Sequence, residues 1–170
     1  GKGALVVFED APIDQAVEGI INAIYFNQGH VCCAGSRLLV QEGVADKVIA
    51  KLKDRLETLI VGDPLDKNTD IGAINSKEQF ETVNKYLELG VEEGAVQEEI
   101  FGPVLTVQTF RTADEGIEKA NNTPYGLASG VWTDKGSKIF KMGSKMRAGV
   151  IWANTYNKFD PTSPFGGYKE

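Results

Sequence analysis

The stretch Phe26-Asn27-Gln28-Gly29-His30-Val31-Cys32-Cys33-Ala34-Gly35-Ser36-Arg37 separates two strongly patterned segments. Before it, Ile13, Ala16, Val17, Ile20, Ile21 and Ile24 recur at helical spacing, with Pro12 tolerated in a first turn that Asp10 can cap. After it, residues 37–41 read as a strand. Residues 4–9 read as another, being short, apolar and β-branched. The helix is expected to end around Asn27-Gln28-Gly29, where Gly29 supplies a left-handed stop. The stretch itself holds both cysteines and the only histidine of the chain. Its centre is small, which suits a thiol held in a loop.

The alternation continues outward. Val44, Val48, Leu52, Leu56 and Leu59 line one face of a helix that stops before the turn Gly62-Asp63-Pro64. Ser76 with Gln79 is a capping-box pair, opening a helix towards Gly90 with Phe80, Val83 and Leu87 expected inward. Thr112 with Glu115 is a second such pair. Strands are expected over 104–110, 126–133 and 149–154, with a helix over 135–146. Residues 156–170, rich in Pro and Gly, read as ordered loop. Such alternation predicts an α/β domain: a largely parallel sheet covered by helices on both faces.

With 170 residues the chain is long enough for one domain with a sizeable core. Its 18 basic and 24 acidic side chains leave a net charge of −6, which argues against a nucleic-acid partner. Lys135, Lys138, Lys141, Lys145 and Arg147 form one basic cluster, spaced like the wet face of a helix. No stretch is apolar for long enough to span a bilayer, and the start lacks a signal-peptide layout. Two adjacent cysteines make no disulfide framework, so a reducing, cytoplasmic setting is expected.

The residues alone leave the cysteine pair open to three readings. A lone intracellular cysteine is commonly a small buried hydrophobe. Gly29 and Gly35 on either side, and the loop setting, favour a nucleophile that substrate can approach. A metal site is the third, but no further Cys or His exists to complete a four-ligand zinc shell, so no metal is expected.

The stretch 27–37 resembles the active-site segment of the NAD(P)-dependent aldehyde dehydrogenase superfamily. Four further motifs support the resemblance: Glu98-Glu99-Ile100-Phe101-Gly102-Pro103-Val104, Asn121-Asn122-Thr123-Pro124-Tyr125-Gly126-Leu127-Ala128, Gly149-Val150-Ile151-Trp152-Ala153-Asn154 and Pro164-Phe165-Gly166-Gly167-Tyr168-Lys169-Glu170. Five motifs in family order span nearly the whole chain.

The resemblance implies a catalytic cysteine at Cys32, with Cys33 at a variable position. In the family the thiolate adds to an aldehyde, hydride leaves to the nicotinamide of NAD or NADP, and water hydrolyses the resulting thioester. Glu99 matches the glutamate on the nicotinamide-side ribose, and Phe101 the residue packing near the ring. Phe159 and Phe165 match aromatics lining the aldehyde's path. By the same resemblance, residues 1–170 are the nucleophile-bearing catalytic domain. The cofactor-binding domain and the oligomerisation strand are expected to lie outside this chain, and the parent is expected to be a homo-oligomer. Gly1-Lys2 would close the motif that carries the general-base glutamate. Family members also have a longer connection where this chain passes from Gly94-Ala95 to Val96-Gln97-Glu98. Without the other domain, the chain alone is expected to lack efficient dehydrogenase activity. Residual thiol esterase activity and a non-catalytic scaffold role are the alternatives.

Overall fold

The computed structural model describes residues 2–93 and 98–170. The shortened connection from Gly94 to Gln97 lies outside the described residues. The strands are β1 (Ala4–Val7), β2 (Arg37–Gln41), β3 (Thr106–Phe110), β4 (Ala128–Trp132) and β5 (Val150–Ala153). Between them run α1 (Ile13–Tyr25), α2 (Ala45–Leu56), α3 (Lys77–Glu93), α4 (Ala113–Asn121) and α5 (Gly136–Lys145). The strands form one sheet, all pairs parallel, in the order β3-β2-β1-β4-β5. This is a doubly wound arrangement whose direction of growth reverses between β1 and β4.

Alternation along the strands feeds two cores. Leu5 and Val7 of β1 and Leu38 and Val40 of β2 pack with Val17, Ile20, Ile24, Val48 and Leu52 of α1 and α2. Ala4, Val6 and Leu39 point the other way, towards Ala120 of α4 and Met142 of α5. Burial on both faces is why these strands read as continuous apolar runs.

Four local expectations are corrected. Asp10 does not cap α1, whose N-cap is Pro12 without a side-chain bond. Its carboxylate instead accepts from Thr133 Oγ1 at 2.6 Å and Lys138 Nζ at 2.5 Å. Lys138 is therefore no wet-face residue; its ammonium also sits 4.7 Å over the Phe8 ring. The helix α1 stops at Tyr25, short of the expected Asn27 to Gly29, because Phe26 already leaves the helical region with ψ 131°. Phe80 and Leu87 of α3 are exposed while Val83 is buried. The reason is that α3 packs on a small separate cluster, Val83 with Ile100 and Val104, rather than on a sheet face.

Candidate active site

The cysteines lie in a turn closed by Ala34 N donating to Val31 O at 3.0 Å. Gly35 follows, its N–H donating to Ala23 O of α1 at 2.9 Å. A Cβ on Gly35 would meet Leu5 at 2.6 Å, so only glycine lets the loop lie this close to β1. The turn sends the two sulfurs to different places. Cys32 is exposed and Cys33 is buried. Cys33 Sγ lies 3.4 Å from Asn157 Oδ1, and its carbonyl accepts from the buried Tyr156 hydroxyl at 2.7 Å. Burial, with Cys32 beside it, pushes the Cys33 thiol up, which disfavours its reactive thiolate form.

The loop meets the segment 98–104 backbone to backbone. A Cβ on Gly29 would lie 2.2 Å from Gly102 O. Next to that contact the His30 and Phe101 rings stack, 6.0 Å apart and inclined by 8°. Phe101 has φ 58°, a conformation that bulky residues adopt only when their surroundings enforce it. Gln79 supplies part of that constraint, its Nε2 donating to Ile100 O at 2.9 Å and Phe101 O at 3.0 Å. The backbone N–H of Gln79 donates to Ser76 Oγ at 3.2 Å. Half of the expected capping box therefore forms, and the glutamine side chain reaches across to this segment instead of back.

Cys32 and Glu99 line one cavity of about 150 Å³, together with Lys2, Arg37, Tyr125 and Arg147. Arg37 is fixed there by donating to the carbonyls of Lys2, Lys119 and Ala120 at 3.0, 3.1 and 2.8 Å. Burial and then the Arg37 charge push Lys2 down to about 8, against the opposing pull of Glu98 and Glu99. The cavity opens at the starts of β1, β2, β4 and β5. Ligands of doubly wound sheets commonly take the opposite, carboxyl edge at the switch point. In this chain that edge holds the Asp10–Thr133–Lys138 cluster.

Phe159 and Phe165 pack edge to face at 5.1 Å, and both rest on Trp152, at 5.4 and 6.5 Å. Neither lines the cavity with Cys32. They connect to it through the chain just before them, where Tyr156 and Asn157 hold Cys33. The geometry thus gathers Cys32 and Glu99 in one cavity, sets Phe101 against the cysteine loop, and keeps the phenylalanine pair as a neighbouring aromatic patch. Gln79, Tyr156 and Asn157 also hold these segments in place; the capping spacing marks Gln79 for a different reason, and nothing in the sequence marks Tyr156 or Asn157. Among the described residues, no group of three or more His, Cys, Asp or Glu gathers as a metal site, and no helix is long and apolar enough to cross a membrane.

The model of the aldehyde dehydrogenase family matches residues 1–97 and 95–170. The chain is 39% identical over 200 residues to an aldehyde dehydrogenase of Aspergillus niger, covering 100% of the chain and 40% of that protein. It is 36% identical over 204 residues to the betaine aldehyde dehydrogenase of Bacillus subtilis (strain 168), covering 100% of the chain and 42% of that protein. Among solved structures, the NAD-dependent aldehyde dehydrogenase from Sinorhizobium meliloti superposes with a TM-score of 0.96 at 36% identity, over 99% of this chain and 40% of that one. The betaine aldehyde dehydrogenase from Staphylococcus aureus in complex with NAD+ gives 0.95 at 32% identity, over 99% and 40%. The chain therefore spans about two fifths of the length of these relatives. The match covers the chain from end to end in two segments that meet at 95–97; the chain belongs to the aldehyde dehydrogenase family.

Proposed function

We propose that residues 1–170 are the nucleophile-bearing catalytic domain of a dehydrogenase that oxidises an aldehyde to a carboxylic acid with NAD or NADP, and that Cys32 is its nucleophile. The observation that carries this reading is the division of the two thiols: Cys32 exposed on the cavity that Glu99 also lines, Cys33 buried behind it. The Cys32 thiolate adds to the aldehyde carbon, forming a C–S bond and a tetrahedral oxyanion that the Cys32 backbone N–H stabilises. Loss of a hydride from that carbon leaves a thioester, and water then releases the acid and returns the thiol. NAD or NADP, when bound, supplies the acceptor for those two electrons.

Glu99 suits such a cofactor as a carboxylate acceptor for ribose hydroxyls. Phe101, held at an enforced backbone angle, suits it as a flat wall. The family resemblance, the NAD-dependent activity named for the Sinorhizobium meliloti relative and the NAD+ bound to the Staphylococcus aureus one support the cofactor class. Phe159 and Phe165 form the apolar approach for the aldehyde. A free thiol as nucleophile fits a reducing compartment such as the cytoplasm. Because the chain spans two fifths of its relatives, the 170 residues by themselves are assigned acyl transfer at Cys32 rather than efficient aldehyde oxidation.

The test is p-nitrophenyl acetate, which acylates a reactive thiol without cofactor. A burst of about one p-nitrophenolate per chain is expected, lost in Cys32→Ser and kept in Cys33→Ser. A burst that survives Cys32→Ser would overturn the assignment, and no burst from the unaltered chain would favour the scaffold role.

A further inference from the structure

Arg37 is the first residue of β2 and lines the cavity that Cys32 shares with Glu99. Its Nε, Nη1 and Nη2 each donate once, and only to neutral acceptors, the carbonyls of Lys2, Lys119 and Ala120. A second N–H on each terminal nitrogen is left over. Among the described residues no carboxylate pairs with Arg37. Burial pushes its guanidinium down to about 10, an effect that a carboxylate beside it would oppose.

Its neighbours at the cavity are cations too. Lys2 is buried, and Arg147 adds a further positive charge. Lys169 lies near enough that burial, then the Arg147 and Arg37 charges, push it down. Two carboxylates, Glu99 and Glu170, also line the cavity, and both belong to exposed residues. Positive charge is thus held in the wall, out of water, while negative charge stays hydrated. A cation so placed is stabilised by an anion within its reach. The volume of about 150 Å³ lies below the ~300 Å³ at which pockets for drug-sized ligands begin, so that anion must be small.

We propose that this wall, with Arg37 at its centre, is a subsite for a carboxylate on the substrate, and that the aldehyde presented to Cys32 is one end of a short acid. The proposal rests on the reading of Cys32 as the nucleophile. The acid end enters first and takes the two remaining N–H groups of Arg37 as charge-assisted hydrogen bonds. That anchor leaves the aldehyde carbon at the Cys32 side of the same small cavity. A neutral aldehyde of equal length lacks the anchor, so selectivity follows from charge.

The probes are iodoacetate and iodoacetamide, which differ only in carboxylate against amide and alkylate Cys32 by displacing iodide. Repulsion between carboxylate and thiolate ordinarily makes iodoacetate the slower reagent. At Cys32 of the full 170-residue chain it should be the faster by about tenfold, with a rate that saturates as its concentration rises. Propanoate should slow alkylation of Cys32 by iodoacetamide, and propanamide should not. Arg37→Gln should bring the ratio of the two rates below one; a merely loosened loop would change both rates together and leave the ratio. If that variant fails to fold, Arg147→Gln, at an exposed position, should still lower the ratio. Iodoacetate slower than iodoacetamide, without saturation and without protection by propanoate, overturns the subsite, and a p-nitrophenyl acetate burst at Cys32 then leaves the nucleophile standing. Stronger protection by inorganic phosphate than by propanoate would assign the wall to phosphate and also overturn it. Loss of the burst itself removes the nucleophile, and the subsite with it.

Discussion

Gly29 and Gly102 meet so closely that a Cβ on Gly29 would lie 2.2 Å from the Gly102 carbonyl oxygen. Through that contact the cysteine loop fixes the position of the segment bearing Glu99 and Phe101. Gly29 also has φ +73°, so alanine there incurs about 1–2 kcal/mol of left-handed strain before the collision is counted. Gly29→Ala should therefore lose at least about 2 kcal/mol in urea unfolding. An unchanged midpoint would show that the two segments are not coupled at this point.

Tyr156 reaches the same loop from behind, donating to Cys33 O at 2.7 Å. Tyr156→Phe keeps the ring against Trp152 and Trp132 and removes that bond alone. A loss of about 1–3 kcal/mol is expected, together with faster alkylation of Cys33 by iodoacetamide as the turn loosens. Alkylation of Cys33 at the original slow rate would mean that the hydroxyl does not hold the turn.

Asp10 should govern acid stability. Burial pushes its carboxyl up, but hydrogen bonds from Lys138 and Thr133 outweigh burial and leave it below the usual value. A carboxylate depressed in the folded state contributes stability that is complete above its unfolded pKa, about 3.9, and lost as pH falls through the folded value. Urea midpoints should fall below about pH 4. Asp10→Asn should lose about 1–3 kcal/mol at pH 7 and show a shallower acid decline. An equally steep decline in the variant would place the acid sensitivity elsewhere.

Lys2 acts in the opposite direction. Burial, then Arg37, holds it down to about 8, so between that value and about 10.4 the unfolded chain binds more protons than the folded one. Stability from this group should rise with pH across that window. Lys2→Met should flatten the rise. A rise that persists in the variant would show that Lys2 is not its source.

The fold was legible because its signals are local. Residues 4–9 and 37–41 are apolar enough to be buried on both faces, and the helix containing Ile20 and Ile24 shows its period plainly. The strand order β3-β2-β1-β4-β5 was not legible, since nothing in a strand's composition names its neighbours. Asp10 misled for a related reason: an aspartate before Pro12 looks like a cap, while its partners Thr133 and Lys138 are more than 120 residues away. Phe80 and Leu87 fit an inward face by spacing, but α3 buries Val83 against Ile100 and Val104 rather than against a sheet face. At the site, motifs singled out Cys32, Glu99 and Phe101. The cavity shared by Cys32 and Glu99, and its place at the amino-terminal edge of the sheet, came only from the assembled strands.

The most direct test of the account is to map which sulfur becomes acylated. The native chain is exposed briefly to p-nitrophenyl acetate, quenched in acid, digested, and the acetyl group located by mass spectrometry. The account predicts a single acetyl group on Cys32, with Cys33 unmodified until the chain is unfolded. Acetylation of Cys33 at a comparable rate, or modification of lysines with Cys32 untouched, would contradict it.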